Sequence, residues 1–137
     1  MNKQQSHQPM EWSTYLTKFL YEIYPCRYPF TLLVINKRPK TRMGCYIIDT
    51  KRIRIYAQYQ DVCPLEEIAI HEYAHHIHET ELRKNSNRRQ ERAHGAEFWR
   101  IYTTLMCIAI QRNMFHSHWT ADIEKILKKQ KFFNQTE

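Results

Sequence analysis

The motif His71-Glu72-Tyr73-Ala74-His75 limits what this chain can fold into more than any other part of the sequence. It lies in a segment whose apolar residues point to more than one side of a helix, which predicts a central, buried helix. Two imidazoles and a carboxylate are costly to bury unless something binds them. Residues four positions apart project from one face of a helix, so His71 and His75 are predicted to bind one Zn²⁺.

The same motif indicates further members of a zinc site. Glu72 is rotated by about a third of a turn from His71, which suits a general base that takes a proton from water at the metal. A metzincin would have glycine at position 78 and histidine at 81, but the chain has His78 and Glu81, which excludes that class. We interpret His78 and its neighbour His76 as solvated histidines or as residues that support the ligands. On the residues alone, three downstream side chains remain open as the third ligand: Glu91, His94 and Glu97.

Composition excludes several classes of protein. The 137 residues include only two glycines, Gly44 and Gly95, too few for a Walker phosphate loop or a G-x-G-x-x-G dinucleotide turn. With 42% apolar and 13% aromatic residues the chain is globular, and its four scattered cysteines form no C-x-x-C pair for a zinc ribbon. No apolar stretch is long enough to cross a bilayer, and the N-terminus has no apolar signal core. We therefore expect a cytoplasmic protein with reduced thiols and no membrane partner.

Hydrophobic periodicity predicts an α+β fold, with a polar tail over residues 1–9 and a single domain over 10–137. Apolar residues at helical spacing from Trp12 to Ile23 predict an N-terminal helix that ends before the prolines that follow. The helix with the His71 motif, a third-ligand helix that includes Phe98, and a C-terminal helix from about Thr120 to Phe133 complete the helices. Between the first two helices, three β-like runs predict a small three-stranded antiparallel sheet: residues 30–35, 45–48 and 53–56.

Two motifs together, His71-Glu72-Tyr73-Ala74-His75 and His94-Gly95-Ala96-Glu97-Phe98-Trp99, resemble the SprT-like family of small zinc metallopeptidases. In that family H-E-x-x-H is followed by a helix that opens with H-G-x-x-(F/W). The resemblance covers about residues 10–110 and implies a minimal zincin-like domain, with His71, His75 and His94 as zinc ligands and Glu72 as general base. The chain departs from the family in two ways. It lacks the Cys-rich C-terminal zinc ribbon of many members, and the 18 residues between His75 and His94 are unusually charged.

The implied chemistry is hydrolysis of peptide bonds at a three-histidine zinc site. In related zincins the substrate pairs as a strand with an edge of the sheet, for which we expect residues 53–58. The group that stabilises the oxyanion is not identified by any motif. Residue type alone gives five candidates for it: Tyr46, Tyr56, Tyr59, Tyr102 and His118.

Basic residues give the chain its net charge of +7 and indicate attraction to phosphate groups. The resemblance implies DNA as a partner, because some SprT-like proteases remove proteins crosslinked to DNA. DNA-associated proteins would then be the substrates. Two alternatives remain: a DNA-associated accessory protein with a structural or vestigial zinc site, and a metal-dependent hydrolase that cleaves a bond other than a peptide bond. Two groups of basic residues carry this prediction, one just before His94 and one in the predicted C-terminal helix: Arg83, Lys84, Arg88, Arg89, Arg92, Lys125, Lys128, Lys129 and Lys131.

Overall fold

The computed structural model describes residues 9–82 and 94–115, which form three α-helices and one three-stranded sheet. The α+β class is therefore confirmed. A 3₁₀ helix (Ala57–Asp61) follows the last strand, and a π-helical turn (His78–Leu82) extends the second helix. In chain order the main elements are α1 (Pro9–Ile23), β1 (Thr31–Ile35), β2 (Gly44–Ile47), β3 (Arg52–Tyr56), α2 (Leu65–Ile77) and α3 (Ala96–Gln111).

Part of what the sequence predicts lies outside the described residues. This applies to the basic cluster from Arg83 to Arg92 and to the C-terminal helix with its lysines. The division into a tail over 1–9 and a single domain over 10–137 also stays a prediction. Within residues 9–82 and 94–115, no helix is both long enough and apolar enough to cross a membrane.

The sheet is mixed, and the prediction of a purely antiparallel sheet is wrong. The strand order is β1-β3-β2; β2 pairs antiparallel with β3, whereas β1 pairs parallel with β3. A tight turn, in which Lys51 has a φ of 53°, joins β2 and β3 and makes that pair antiparallel. The connection between β1 and β2 is too long for a tight hairpin, and β3 lies between these two strands.

The helices cover one face of the sheet. Alternate residues of β1 and β3 are buried on that face, where α1 packs on β1 and α2 packs on β2 and β3. Leu33 and Arg52, on the other face, are exposed. Helix α2 therefore lies between the sheet and α3.

Helix α2 is the most buried element, as the sequence predicts. Eleven of its 13 residues are buried, and the two that are only partly buried are His71 and His75. Pro64 precedes the helix, and Glu66 and Glu67 occupy its first turn, where negative charge is favoured. The two histidines therefore lie where this helix reaches the surface of the core.

Candidate metal centre

Three imidazoles converge at the surface of α2. His94 lies immediately before Gly95, the residue that caps the N-terminus of α3, and this helix packs along α2. One ring nitrogen from each of His71, His75 and His94 lies within 4.8 Å of the others. The Nε2 atoms of His75 and His94 are 3.0 Å apart. The structure thus brings together the three residues that the sequence predicts as ligands.

Aromatic side chains of α3 hold the three rings in place. The ring of Phe98 lies 5.1 Å from that of His71, 4.3 Å from that of His75 and 4.9 Å from that of His94, measured between centroids. Phe98 is fully buried and contacts all three imidazoles. Helical periodicity predicts Phe98 as a core residue of α3, and its place in the motif that begins with His94 is the signal that it also packs on the site.

Burial lowers the pKa of all three imidazoles and so favours the neutral form that a metal requires. Burial, with a smaller contribution from nearby His94, lowers the pKa of His71 to about 4. Burial and the neighbouring histidines lower the pKa of His75 to about 3, and desolvation also lowers the pKa of His94. Neutral imidazoles are the ligand form of histidine, and three of them form a donor set suited to Zn²⁺ and other borderline divalent ions. These residues therefore fit a metal ion.

Glu72 lies beside the cluster in the same cleft. Its side chain is only 6% exposed, and burial raises its pKa to about 8, an effect opposed by the charge of Arg42. Gly44 of β2 packs against this side chain. A Cβ at position 44 would lie 2.9 Å from Cγ2 of Ile68, 2.9 Å from the carbonyl oxygen of Arg54 and 3.3 Å from Cγ of Glu72. The absence of a side chain at Gly44 therefore lets β2 approach α2 at the candidate base, a role that sequence reasoning missed.

The cleft has a volume of about 600 Å³ and runs between the β2 side of the sheet and helices α2 and α3. The prediction that residues 53–58 form the sheet edge that pairs with the substrate is wrong. Strand β3 is the central strand, and residues 57–61 form the 3₁₀ helix. The edge strand that borders the cleft is β2. Alternation of polar and apolar residues identified the strands but did not reveal which one would be central.

Neither the described alternative ligand, Glu97, nor the nearby residues His76 and His78 belong to the three-histidine cluster. Glu97 binds Arg100 at 2.7 Å and does not belong to the cluster, whereas Glu91 lies outside the described residues. His76 is fully buried: its Nε2 lies 2.7 Å from the carbonyl oxygen of Tyr28, and its Nδ1 lies 2.8 Å from the hydroxyl of Tyr46. His78 is fully buried as well. The interpretation of His76 and His78 as solvated is therefore wrong.

Two of the five candidates for the oxyanion group line the cleft, Tyr46 and Tyr102. Tyr102 donates its hydroxyl proton to Oε2 of Glu67 at 3.0 Å. Tyr59 donates to the carbonyl oxygen of Pro39, and the hydroxyl of Tyr56 lies 4.0 Å from Sγ of Cys45. His118 lies outside the described residues.

Comparisons of the chain with family models, with curated protein sequences and with solved structures found no match. The resemblance to SprT-like proteins therefore depends on the two histidine motifs and on the arrangement that they adopt. What the structure establishes is an α+β fold and a three-histidine cluster that can hold a metal ion.

Proposed function

We propose that this protein is a zinc-dependent metallopeptidase. The observation that carries the proposal is the convergence of His71, His75 and His94 with buried Glu72 in one cleft. The three histidines would hold the ion, and its chemistry, when bound, is to polarise a carbonyl group and to make water a better nucleophile near neutral pH.

Glu72 is the proposed general base. This role needs the charged carboxylate, which burial disfavours and which the positive charges of Arg42 and of a bound metal ion would favour. One carboxylate oxygen takes a proton from the attacking water, and the carboxyl then delivers that proton to the leaving amine. Its burial limits access of bulk water, and the glycine at position 44 leaves room for its side chain. Arg42 lines the same cleft and favours the charged form of Glu72, because its guanidinium is close enough to lower the pKa of the carboxyl.

Strand β2 gives the cleft a feature suited to an extended peptide. Tyr56 donates its backbone N–H to the carbonyl oxygen of Met43 at 3.0 Å, so Met43, Cys45 and Ile47 turn their backbone groups towards β3. Gly44 and Tyr46 turn theirs towards the open edge. A peptide strand that pairs with this edge would run along the cleft past Glu72 and the histidines.

The rival functions make different demands on the site. A closed structural zinc site needs four protein ligands, whereas the cluster among the described residues has three histidines beside a carboxylate. This composition favours catalysis over a purely structural role. A hydrolase of another bond would use the same residues, but the open strand edge favours a peptide as substrate. DNA-associated proteins are the proposed substrates, because the resemblance to SprT-like proteases implies them and the net charge of +7 favours contact with DNA.

Two measurements test this function together. We expect the purified protein to bind about one zinc ion per chain and to cleave unfolded casein, with cleavage lost on chelation and restored by added zinc. Zinc binding without cleavage of casein or of DNA-bound proteins would favour the accessory protein with a structural site. Cleavage that is unaffected by chelation would contradict the proposal.

A further inference from the structure

The cleft extends beyond the His71 end of the cluster into a corner formed by Cys63, Glu67 and Tyr102. Glu67 precedes His71 by four residues and therefore lies on the same face of α2, one turn nearer the N-terminus. The proposed peptidase mechanism uses none of these three residues. The corner is therefore a polar part of the cleft wall to which the proposed mechanism gives no role.

The carboxylate of Glu67 is fixed in this corner. Its side chain is 6% exposed, and Cys63 donates to Oε1 and Tyr102 donates to Oε2, each at 3.0 Å. Both oxygens therefore act as acceptors, and the first turn of a helix is where a negative charge is most favoured. The position and orientation of the carboxylate are set before any ligand enters.

Aromatic rings form the wall beside this carboxylate. Trp99 and Tyr102 meet edge to face with centroids 5.6 Å apart, and the ring of Tyr102 lies 5.6 Å from that of His71. Aromatic faces attract cations and also suit the methylene stem of a long basic side chain.

We propose that the corner of Cys63, Glu67 and Tyr102 is a subsite for the cationic side chain of a lysine or arginine in the substrate, with Glu67 as its charged partner. The stem of that side chain lies against Trp99 and Tyr102, and its head reaches the carboxylate. Because the corner adjoins His71, the basic residue is close to the bond that is cleaved. This inference rests on the proposed peptidase function and names the substrate feature that the site selects.

The test compares peptide binding in a zinc-loaded Glu72→Gln background, in which the peptide is bound but not cleaved. The first probe is a labelled decapeptide of alanine and serine with one central lysine; the second carries acetyl-lysine at the same position, which removes the charge. Such a uniform peptide can shift its register until the lysine reaches the subsite. We expect the lysine peptide to bind about tenfold more tightly or better, as for a hydrogen bond between charged groups.

Variants of two glutamates that line the cleft complete the test. Glu67→Gln should bring the ratio of the two affinities to about one, whereas Glu79→Gln, four residues beyond His75, should leave most of it. Zinc content and thermal unfolding show whether each variant is folded. Equal binding of the two peptides by the Glu72→Gln protein overturns the inference without any variant at position 67. A preference that survives Glu67→Gln in a folded, zinc-loaded protein overturns it as well.

Casein cleavage by the wild-type protein separates this inference from the proposed function. Cleavage with no preference between the two peptides overturns the subsite alone. Absence of both cleavage and peptide binding overturns the subsite together with the peptidase.

Discussion

The Nε2 atoms of His75 and His94 lie 3.0 Å apart, although 19 positions separate the two residues in the chain. One belongs to α2 and the other immediately precedes α3, so packing of these two helices assembles the candidate metal centre. With His71 one turn earlier on α2, all three imidazoles direct a nitrogen to one place.

Replacement of His94 tests the identity of the third ligand. His94→Ala should lower zinc affinity by about a hundredfold or more, because two histidines alone leave the ion incompletely bound. The matched control is Glu97→Gln, which removes a carboxylate that binds Arg100 and should keep about one zinc ion per chain. Zinc titration with a competing chelator measures both. Loss of zinc from Glu97→Gln and not from His94→Ala would assign the ligand to Glu97.

A methyl group at Gly44 should disturb both stability and the site. Gly44→Ala places a Cβ against Ile68, the backbone of Arg54 and Glu72, and such overpacking costs about 1–3 kcal/mol. We expect a lower midpoint of thermal unfolding and a lower kcat, because β2 or Glu72 must move. Leu33→Ala, on the exposed face of the sheet, is the control and should leave kcat unchanged. An unaltered kcat and unfolding midpoint in Gly44→Ala would contradict the close packing of β2 on α2.

Glu66 should make folding stability depend on pH. This residue is fully buried in α2 and accepts a hydrogen bond from Tyr15 of α1, and burial raises its pKa from 4.5 to about 7. Between these values the folded protein keeps a proton that the unfolded chain releases, so stability falls as the pH rises from 4.5 to 7 and stays lower above 7. The total change in the free energy of unfolding is about 3 kcal/mol.

Glu66→Gln should remove this pH dependence. The amide is neutral at every pH and its oxygen can still accept the hydrogen bond from Tyr15, so the variant should be more stable than the wild type at pH 8 and similar to it at pH 4.5. Urea unfolding at both pH values measures the difference. Glu22→Gln, an exposed site on α1, is the control. Equal pH dependence in wild type and Glu66→Gln would show that Glu66 is not the responsible group.

Binding to DNA should be electrostatic and should weaken steeply with salt. Five basic residues lie between Leu82 and His94 in the sequence, and neutralising them should lower the affinity for single-stranded DNA. The slope of log K against log salt should become less steep by up to about 3.5. Arg52→Gln, on the exposed face of the sheet, should have little effect. Fluorescence anisotropy with labelled single-stranded DNA measures both, and no binding at low salt would rule out DNA as a direct partner. The five residues are Arg83, Lys84, Arg88, Arg89 and Arg92.

The candidate site was predictable from the sequence because its information is local. Spacing of four residues placed His71 and His75 on one face, and the apolar neighbours showed that the helix is buried. Spacing alone did not predict His94 as the third ligand, because the approach of His94 to α2 depends on how α3 packs. The resemblance to SprT-like motifs supplied that contact, and the geometry agrees with it.

Sheet topology was not predictable in the same way. Alternation along β1 and β3 shows which side of each strand is buried, but not which strand is its neighbour. The central position of β3, and with it the open edge at β2, follows from long-range packing of Ile53 and Ile55 beneath the helices. The role of Gly44 was not predictable for the same reason, because it depends on a long-range contact between β2 and Glu72 of α2.

The most direct test of the proposed peptidase mechanism is the activity of Glu72→Gln in a protein that still holds its metal. Zinc content and casein cleavage are measured on the same preparations of wild type, Glu72→Gln and the control Glu97→Gln. We expect about one zinc ion per chain in all three proteins, with cleavage by the wild type and the control. For Glu72→Gln we expect kcat to fall by about a thousandfold or more. Cleavage by zinc-loaded Glu72→Gln at the rate of the wild type would contradict the assignment of Glu72 as the base.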